Sequence, residues 1–421
     1  MSDPVQFLQD SQYKCQRCDN ESAVLIARKE KFCAGCFVFF MKGKQRKLML
    51  DERYKVKYGA VAERLGTQKV LLPLSFGISS LVLLDMIASL LQEQNLAHKG
   101  KQGFELMVMC IEEEENATKI ALLDKLLASY SPVKIDYKVV TLDSYIVDPL
   151  MRLRVSETFA VIGKTAPEET LTIPQLLEHA STRSLRADLL SIIRSELIFH
   201  TAHAEQCQTI LFGHSMTRLA NEVISLTVKG RGLEIHTSVV DRTASYAGKD
   251  IHVIFPLRDI LFAEISAVMK LSSHLAEYVV IKEQKSFLVK NMTVEALVGQ
   301  YFSNLDATGY ASTASTVVKT AEKLGAPKAS VTAVCRVCGA EIHQDPRQWV
   351  NEITVSKGSP LTTEEEKAYA KQYSDAMDED ASGEIISACY GCTVTLIGAG
   401  DGFTWPVRAT KQEILDEYVL E

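Results

Sequence analysis

The first apolar–polar pattern in the chain is AVLIARKEKF (23–32), an apolar stretch followed by four charged residues and Phe32, which reads as a β-hairpin. From Lys69 the pattern changes. KVLLPLS (69–75), FELMVMCI (104–111), VKIDYKVVTL (133–142), QTILFGH (208–214) and IHVIFPL (251–257) are short apolar runs of the kind that form buried strands. Between them, LVLLDMIASLLQEQ (81–94), NATKIALLDKLLASY (116–130), PQLLEHA (174–180), SLRADLLSIIRSELIFHTAHAEQ (184–206), TRLANEVISLTVKG (217–230) and RDILFAEISAVMKL (258–271) follow helical periods. Strands separated by helices imply right-handed βαβ units. The expected fold class is therefore α/β, with a doubly wound, mostly parallel sheet from Lys69 to about Lys290. A polar stretch ending at Gly325-Ala326-Pro327 separates it from a C-terminal segment. No repeat of fixed period is present.

Composition narrows the class. The 421 residues suggest two or three domains, and 47% hydrophobic with 24% charged residues is ordinary for a globular protein. A net charge of −7 argues against binding nucleic acid through overall charge, while leaving room for local basic patches. No apolar run is long enough to span a membrane, and MSDPVQFLQDSQYKCQRC lacks a signal-peptide profile, so a cytoplasmic protein without membrane association is expected. Asn116 and Asn291 open N-x-T triplets, read here as chance matches.

Cysteine spacing is the strongest chemical signal. Eight of the ten cysteines fall in four C-x-x-C pairs: Cys15 and Cys18, Cys33 and Cys36, Cys335 and Cys338, Cys389 and Cys392. In a reducing compartment such pairs hold metal more often than they form disulfides. C-x2-C-x14-C-x2-C at the N-terminus predicts a four-thiolate zinc ribbon, and the second set predicts another structural zinc. Fifty residues separate Cys338 from Cys389, much of them the acidic SKGSPLTTEEEKAYAKQYSDAMDEDASGE (356–384), read as a solvated helix or a disordered insertion.

Other constellations admit two readings. The turn Ser75-Phe76-Gly77-Ile78-Ser79-Ser80, between a strand and a helix, could offer N–H groups to an anion, though it matches no phosphate-loop motif and a plain turn is its default reading. Gly213-His214-Ser215 opens a second strand–helix turn, where His214 either contacts a ligand or caps its helix. In a parallel sheet both turns lie at carboxyl ends of strands, where ligands bind. His200, His203 and Cys207 share a helical face and either chelate a metal or, as the default, are half buried. Glu112 to Glu115 read as a solvated loop. Lys42, Lys44, Arg46 and Lys47, with Lys229 and Arg231, form either a basic track for a phosphate backbone or ordinary solvated cations.

Taken together, the N-terminal ribbon, the Ser/Gly loop, GHSMTRLANEVISLTVKGRG (213–232), STASTVVKTAEKL (312–324) and the distant second cysteine set resemble one family over nearly the whole chain. It is the non-catalytic second subunit of the cytoplasmic tRNA 2-thiolation complex, related to the PP-loop ATP pyrophosphatases (adenine nucleotide alpha hydrolase-like). Catalytic members carry a loop resembling S-G-G-x-D-S. Here Ser75, Gly77 and Ser80 match, while Phe76 replaces a glycine, Ile78 fills the variable position and Ser79 replaces the aspartate. Of a second motif resembling G-H-N-x-D-D, Gly213 and His214 remain, with Ser215 for the asparagine and Thr217 and Arg218 for the acids. Active thiolases also carry central cysteines. This chain has none between Cys110 and Cys207, and Ser181 and Ser184 stand in about that region.

The resemblance implies a vestigial nucleotide site (Ser75, Gly77, Ser79, Ser80, Gly213 and His214), no catalytic residue, doubtful ATP binding, two structural zinc ions and no iron–sulfur cluster. It implies a heterodimer with a catalytic PP-loop thiolase, which would draw sulfur from a ubiquitin-like thiocarboxylate carrier to thiolate wobble uridine U34 in the lysine, glutamine and glutamate tRNAs. The product would be 5-methoxycarbonylmethyl-2-thiouridine. The expected layout is a ribbon at 1–45, a degenerate PP-loop domain at 46–300, a linker at 301–330, and a zinc module at 331–421 with an insertion at about 341–385. Two alternatives stand beside it: an active ATP-dependent tRNA sulfurtransferase with a divergent loop, and a zinc-stabilised interaction protein without a tRNA link.

Overall fold

The computed structural model of the chain describes residues 4–9, 12–145, 150–155, 161–165, 172–178, 180, 182–280, 292–344, 346, 361–380, 387–397 and 403–408. Contacts divide the chain into two units: Met1–Leu142 with Arg194–Thr227 and Ile235–Gly325, and Asp143–Ile193 with Val228–Glu234 and Ala326–Glu421.

The first unit begins with a small antiparallel sheet of β1 (Val5–Phe7), β2 (Leu25–Ala27) and β3 (Glu30–Phe32). Arg28 and Lys29 turn the predicted hairpin with positive φ (49° and 69°). Helix α1 (Ala34–Lys47) follows, and buries Phe37 and Met41 against Phe32 and the main core. The large sheet then runs through β4 (Gln68–Pro73), helix α2 (Ile78–Ala97), β5 (Phe104–Glu112) and β6 (Ile135–Thr141). It resumes with helix α3 (Arg183–Ala204, of which Arg194 onward belongs to this unit), β7 (Thr209–Leu211), helix α4 (Met216–Val228), β8 (Arg242–Tyr246), β9 (Lys249–Ile254) and helix α5 (Phe262–Leu271). Helices α6 (Val294–Ala307) and α7 (Ser312–Leu324) close it.

Its strand order is β8-β9-β7-β4-β5-β6, parallel throughout except for the antiparallel β8–β9 edge. The α/β class with a mostly parallel sheet is thus the observed one. Buried central strands account for the apolar runs: Val70, Leu71 and Leu72 of β4 are fully buried, as is Val108 of β5. The β8–β9 hairpin was not foreseen. Its two-residue turn Ala247-Gly248 has both φ values positive (48° and 76°), the conformation a tight hairpin needs, reached without the Asn-Gly or Asp-Gly pair that signals it. The predicted helix over 116–130 forms as two short pieces, Ala117–Ile120 and Leu123–Ala128.

The order of strands reverses between β4 and β7. That reversal places the β4–α2 turn and the β7–α4 turn side by side at one end of the sheet, the position where open α/β sheets bind ligands.

The second unit contains a three-stranded antiparallel sheet in which Leu150–Val155 pairs with both Val161–Thr165 and Phe403–Arg408. It also has a two-stranded ladder, Ala333–Val334 with Glu341–Ile342, and helices Glu364–Asp380 and Tyr390–Ile397. The acidic segment is therefore helical over 364–380, and its described side chains are exposed except for the half-buried Ala370.

Candidate functional site

At the sheet reversal the two turns are in close contact. A Cβ built on Gly213 would lie 3.1 Å from Ser80 Cα, 3.3 Å from Ser80 N and 3.4 Å from Ser79 O, so the backbone of one turn rests on the first residues of α2. Any side chain there would push the Ser80 backbone back by a few tenths of an ångström, so the approach favours glycine. Ser75, Gly77, Ser79, Ser80, Gly213 and His214 are thus brought to one place, as their motifs predicted.

What the loop does there differs from an anion cradle. Phe76 has φ +55°, the left-handed region that glycine favours, and its side chain is fully buried in the main core. Its carbonyl accepts a hydrogen bond from Val280 N (2.9 Å), which ties the turn to the chain beyond α5. Ser75 and Ser80 lie with their hydroxyls 3.2 Å apart, and Ser80 Oγ donates to Gly77 O (3.0 Å). The Ser75 and Ser80 hydroxyls are engaged within the turn itself, and Gly77, at the N-cap of α2, has no side chain to contribute.

The second turn is equally occupied. His214 stacks on Phe255 (centroids 5.5 Å, 26°) and packs on Phe212 (5.3 Å). Burial, followed by the nearby Arg218 guanidinium, lowers its pKa to about 3, so the imidazole is neutral at physiological pH. It does not cap its helix. The buried Ser215 does, its Oγ accepting from Arg218 N (3.2 Å). Of the two positions where acids were expected in an active relative, Thr217 Oγ1 accepts from Phe262 N (3.1 Å) at the start of α5, and Arg218 pairs with Glu222 (3.7 Å). No carboxylate is supplied by either position to hold a metal–phosphate complex.

The two unpaired-motif cysteines are core residues. Burial pushes Cys110 up to about 12 and Cys207 up to about 11, so neither thiol is a ready nucleophile. Ser184 lies in α3, and Ser181 lies outside the described residues. His200, His203 and Cys207 form no metal group: His203 lies against Tyr246 (5.9 Å) while Cys207 is buried, which is the half-buried face expected by default. Glu113, in the acidic run, is held by a bidentate pair with Arg194 (2.8 and 2.9 Å). Asn116 is buried and bonded to the backbone at Ile111 and Glu113; Asn291 lies outside the described residues.

The eight paired cysteines converge in two groups, Cys15, Cys18, Cys33, Cys36 and Cys335, Cys338, Cys389, Cys392, with all sulfurs of a group within 4.8 Å of one another. A tetrahedral ion with metal–sulfur bonds of about 2.3 Å sets its sulfurs about 3.8 Å apart. The observed Cys18–Cys33 and Cys338–Cys389 separations are 3.9 and 3.6 Å, so either group could hold one ion. The two sites are built alike. In each, the residue after the first pair has positive φ and returns its N–H to the first cysteine's carbonyl: Asp19 to Cys15 (φ 56°, 3.0 Å) and Gly339 to Cys335 (φ 73°, 2.9 Å). In each, the second pair opens a helix, and a backbone N–H points at its first sulfur: Cys36 N to Cys33 Sγ (3.5 Å) and Cys392 N to Cys389 Sγ (3.4 Å). Donors of this kind favour thiolates.

Of the candidate basic residues, Lys42, Lys44, Arg46 and Lys47 all lie on α1, beside the N-terminal cysteines. Lys44 sits over Phe40 (5.4 Å), and burial lowers its pKa; Arg46 pairs with Glu93 (2.6 Å). Arg17 also stacks over Phe40 (5.1 Å) and Lys31 over Tyr13 (3.5 Å), while the Phe39 ring is 74% exposed. The sequence shows basic residues interleaved with aromatics in FVFFMKGKQRK (37–47), although it does not tell which ring meets which cation. Lys229 and Arg231 correct the expected track. Lys229 is 12% exposed and held by Asp188, and Arg231 is 6% exposed between Glu234 (3.0 Å) and the Cys392 sulfur (3.9 Å). Burial removes both from any surface cation track.

A family model described as cytoplasmic tRNA 2-thiolation protein 2 matches residues 293–394. The chain is 49% identical over 441 residues to the protein of that name from Debaryomyces hansenii, covering 100% of this chain and 98% of that one. It is 46% identical to its counterpart from Scheffersomyces stipitis, with the same coverage. Among solved structures it is similar to the U34-tRNA thiolase NcsA from Methanococcus maripaludis with its 4Fe–4S cluster, at a TM-score of 0.52 and 18% identity, covering 83% of this chain and 99% of that one. That likeness shows a shared fold. The expectation of no iron–sulfur cluster does not fit a neighbour that holds one, and it is not carried forward.

Proposed function

The chain belongs to the cytoplasmic tRNA 2-thiolation protein 2 family, and from that premise we propose that it is the non-catalytic subunit of the cytoplasmic wobble-uridine thiolation machinery. The observation that carries this reading is Phe76. A phenylalanine at φ +55° keeps the backbone course that a glycine would take, while its ring is anchored in the main core, so the loop carries a packing residue where the active motif has a glycine. The engaged serines, the neutral His214 between two rings, and Thr217 and Arg218 in place of acids all point the same way.

In this reading a catalytic PP-loop thiolase adenylates the C2 oxygen of U34 and replaces it with sulfur from a ubiquitin-like thiocarboxylate carrier. The present chain supplies the scaffold and part of the tRNA surface, for the lysine, glutamine and glutamate tRNAs. The cysteine groups hold structural zinc, since four thiolates in a closed tetrahedral arrangement suit that ion. The tRNA-facing surface is assigned to Lys42, Lys44 and Lys47 on α1 with the exposed Phe39, because cations interleaved with aromatic faces suit single-stranded RNA. The three-part layout of ribbon, PP-loop domain and C-terminal metal module is retained as the functional division.

The test is mass spectrometry of tRNA nucleosides from cells lacking the chain. Loss of 2-thiolated wobble uridine supports the assignment, and its persistence refutes it. ATP turnover by the purified chain alone, abolished by Ser80→Ala, would instead favour an active sulfurtransferase.

A further inference from the structure

The segment after α4, Lys229-Gly230-Arg231-Gly232, is built onto the second cysteine group. Nη1 and Nη2 of Arg231 each lie 3.9 Å from Sγ of Cys392, which is itself fully buried. The fit is reciprocal. A Cβ on Gly391, inside the Cys389-Tyr390-Gly391-Cys392 knuckle, would fall 2.4 Å from Arg231 Cγ and 3.0 Å from its Nε. Gly230, at φ +71°, lies so close to Tyr390 that a Cβ would fall 2.6 Å from its Cε1. Two glycines, one in each segment, are thus required for the guanidinium stem to lie along the knuckle. Glu234 Oε1 accepts from the same Nη1 at 3.0 Å, and Asp188 holds Lys229.

Four thiolates around a divalent ion leave a net charge of about −2, which is costly where water is excluded. We propose that Arg231 is the positioning residue of the C-terminal metal site: it offsets the charge of the Cys392 thiolate and holds that ligand in place against dissociation. The proposal rests on the reading that Cys335, Cys338, Cys389 and Cys392 bind a metal ion. Groups that donate to metal ligands commonly tune metal retention by about 10–100-fold.

The test uses the full chain purified with its metal. Elemental analysis first counts bound zinc, and a chelator challenge with peptide-resolved thiol alkylation then follows each cysteine group separately. Arg231→Met keeps the apolar stem and removes the donors. It should speed alkylation of the C-terminal four cysteines about 10-fold or more, with the N-terminal four unchanged and the far-ultraviolet circular dichroism intact. Arg231→Lys should fall between it and the parent, because it restores charge without the paired donors. Gly391→Ala, which leaves Arg231 in the chain but displaces it, should act in the same direction as Arg231→Met, and covers the case in which that variant misfolds. Unchanged protection of the C-terminal four cysteines in Arg231→Met, or equal acceleration of both groups, would overturn the proposal. A parent protein with no metal at the C-terminal group would instead remove the metal reading on which it rests.

Discussion

Replacing Phe76 separates two forces that oppose each other at one residue. Its side chain is fully buried, so truncation removes a core ring at a cost of about 3–5 kcal/mol. Its φ of +55° is a conformation that costs an L-residue about 1–2 kcal/mol and glycine almost nothing. Phe76→Ala loses the ring and keeps the strain. Phe76→Gly loses the ring and relieves it, so its net cost is about 2–4 kcal/mol. In ordinary extended or helical backbone, glycine is the less stable of the two by about 0.5–1 kcal/mol. Here the order should invert, with the glycine variant more stable than the alanine variant by about 1 kcal/mol. Urea unfolding followed by circular dichroism reads the difference as a shift in midpoint at constant slope. Alanine equal to or better than glycine would show that the turn does not hold this residue in the left-handed region, and the account of the loop would fail. Opening the loop should not by itself create ATP binding, because Ser79, Thr217 and Arg218 still supply no acid.

Other expectations follow from the same geometry. Arg28→Ala removes the partner of the fully buried Glu264, to which Arg28 donates at 2.5 and 2.8 Å; it should cost about 3 kcal/mol in unfolding free energy and release the N-terminal ribbon to proteolysis first. Retention of parental protease resistance would count against that anchoring. Gly213→Ala drives a Cβ to 3.1 Å from the Ser80 backbone and should destabilise by about 1–3 kcal/mol, whereas Gly232→Ala, which meets nothing within 4 Å, should not. His214 binds its proton more weakly folded (about 3) than unfolded (6.5), so its contribution is complete above pH 6.5 and is lost as pH falls from there toward 3. His214→Phe should flatten stability over that window by up to about 1.4 kcal/mol per pH unit, and an unchanged slope would place the imidazole in water. Stripping metal with a strong chelator should expose all eight paired thiols to alkylation while Cys110 and Cys207 stay protected in the core.

The sequence was most legible where chemistry is local. Cysteine pairs announce ligand groups because a knuckle is four residues long, and buried central strands such as Val70–Leu72 read as apolar runs because both faces are covered. The two motif-bearing turns lie side by side because β4 and β7 are neighbours in the sheet. What was hidden depends on long-range contact. Nothing near Arg231 in the chain indicates a sulfur 161 residues away, so a buried neighbour of the Cys392 sulfur read as a surface cation. Arg28 and Glu264 are similarly remote, at 236 residues. His214 reads from sequence as either a ligand contact or a cap because it precedes a helix; the rings it packs on, Phe212 and Phe255, come from two different strand ends. The β8–β9 hairpin escaped because Ala-Gly reaches the required turn without the usual side chains.

The three-stranded sheet of the second unit has a consequence for how the protein is made. Leu150–Val155 pairs with Phe403–Arg408, the last strand described. At synthesis rates of about 5–20 residues per second, the roughly 250 residues between them take on the order of 10–50 s to emerge. Throughout that interval one flank of the early strand waits without its partner, exposed to mispairing and to chaperones. A premature stop shortly before residue 403 would leave both cysteine groups encoded and the early strand permanently uncapped.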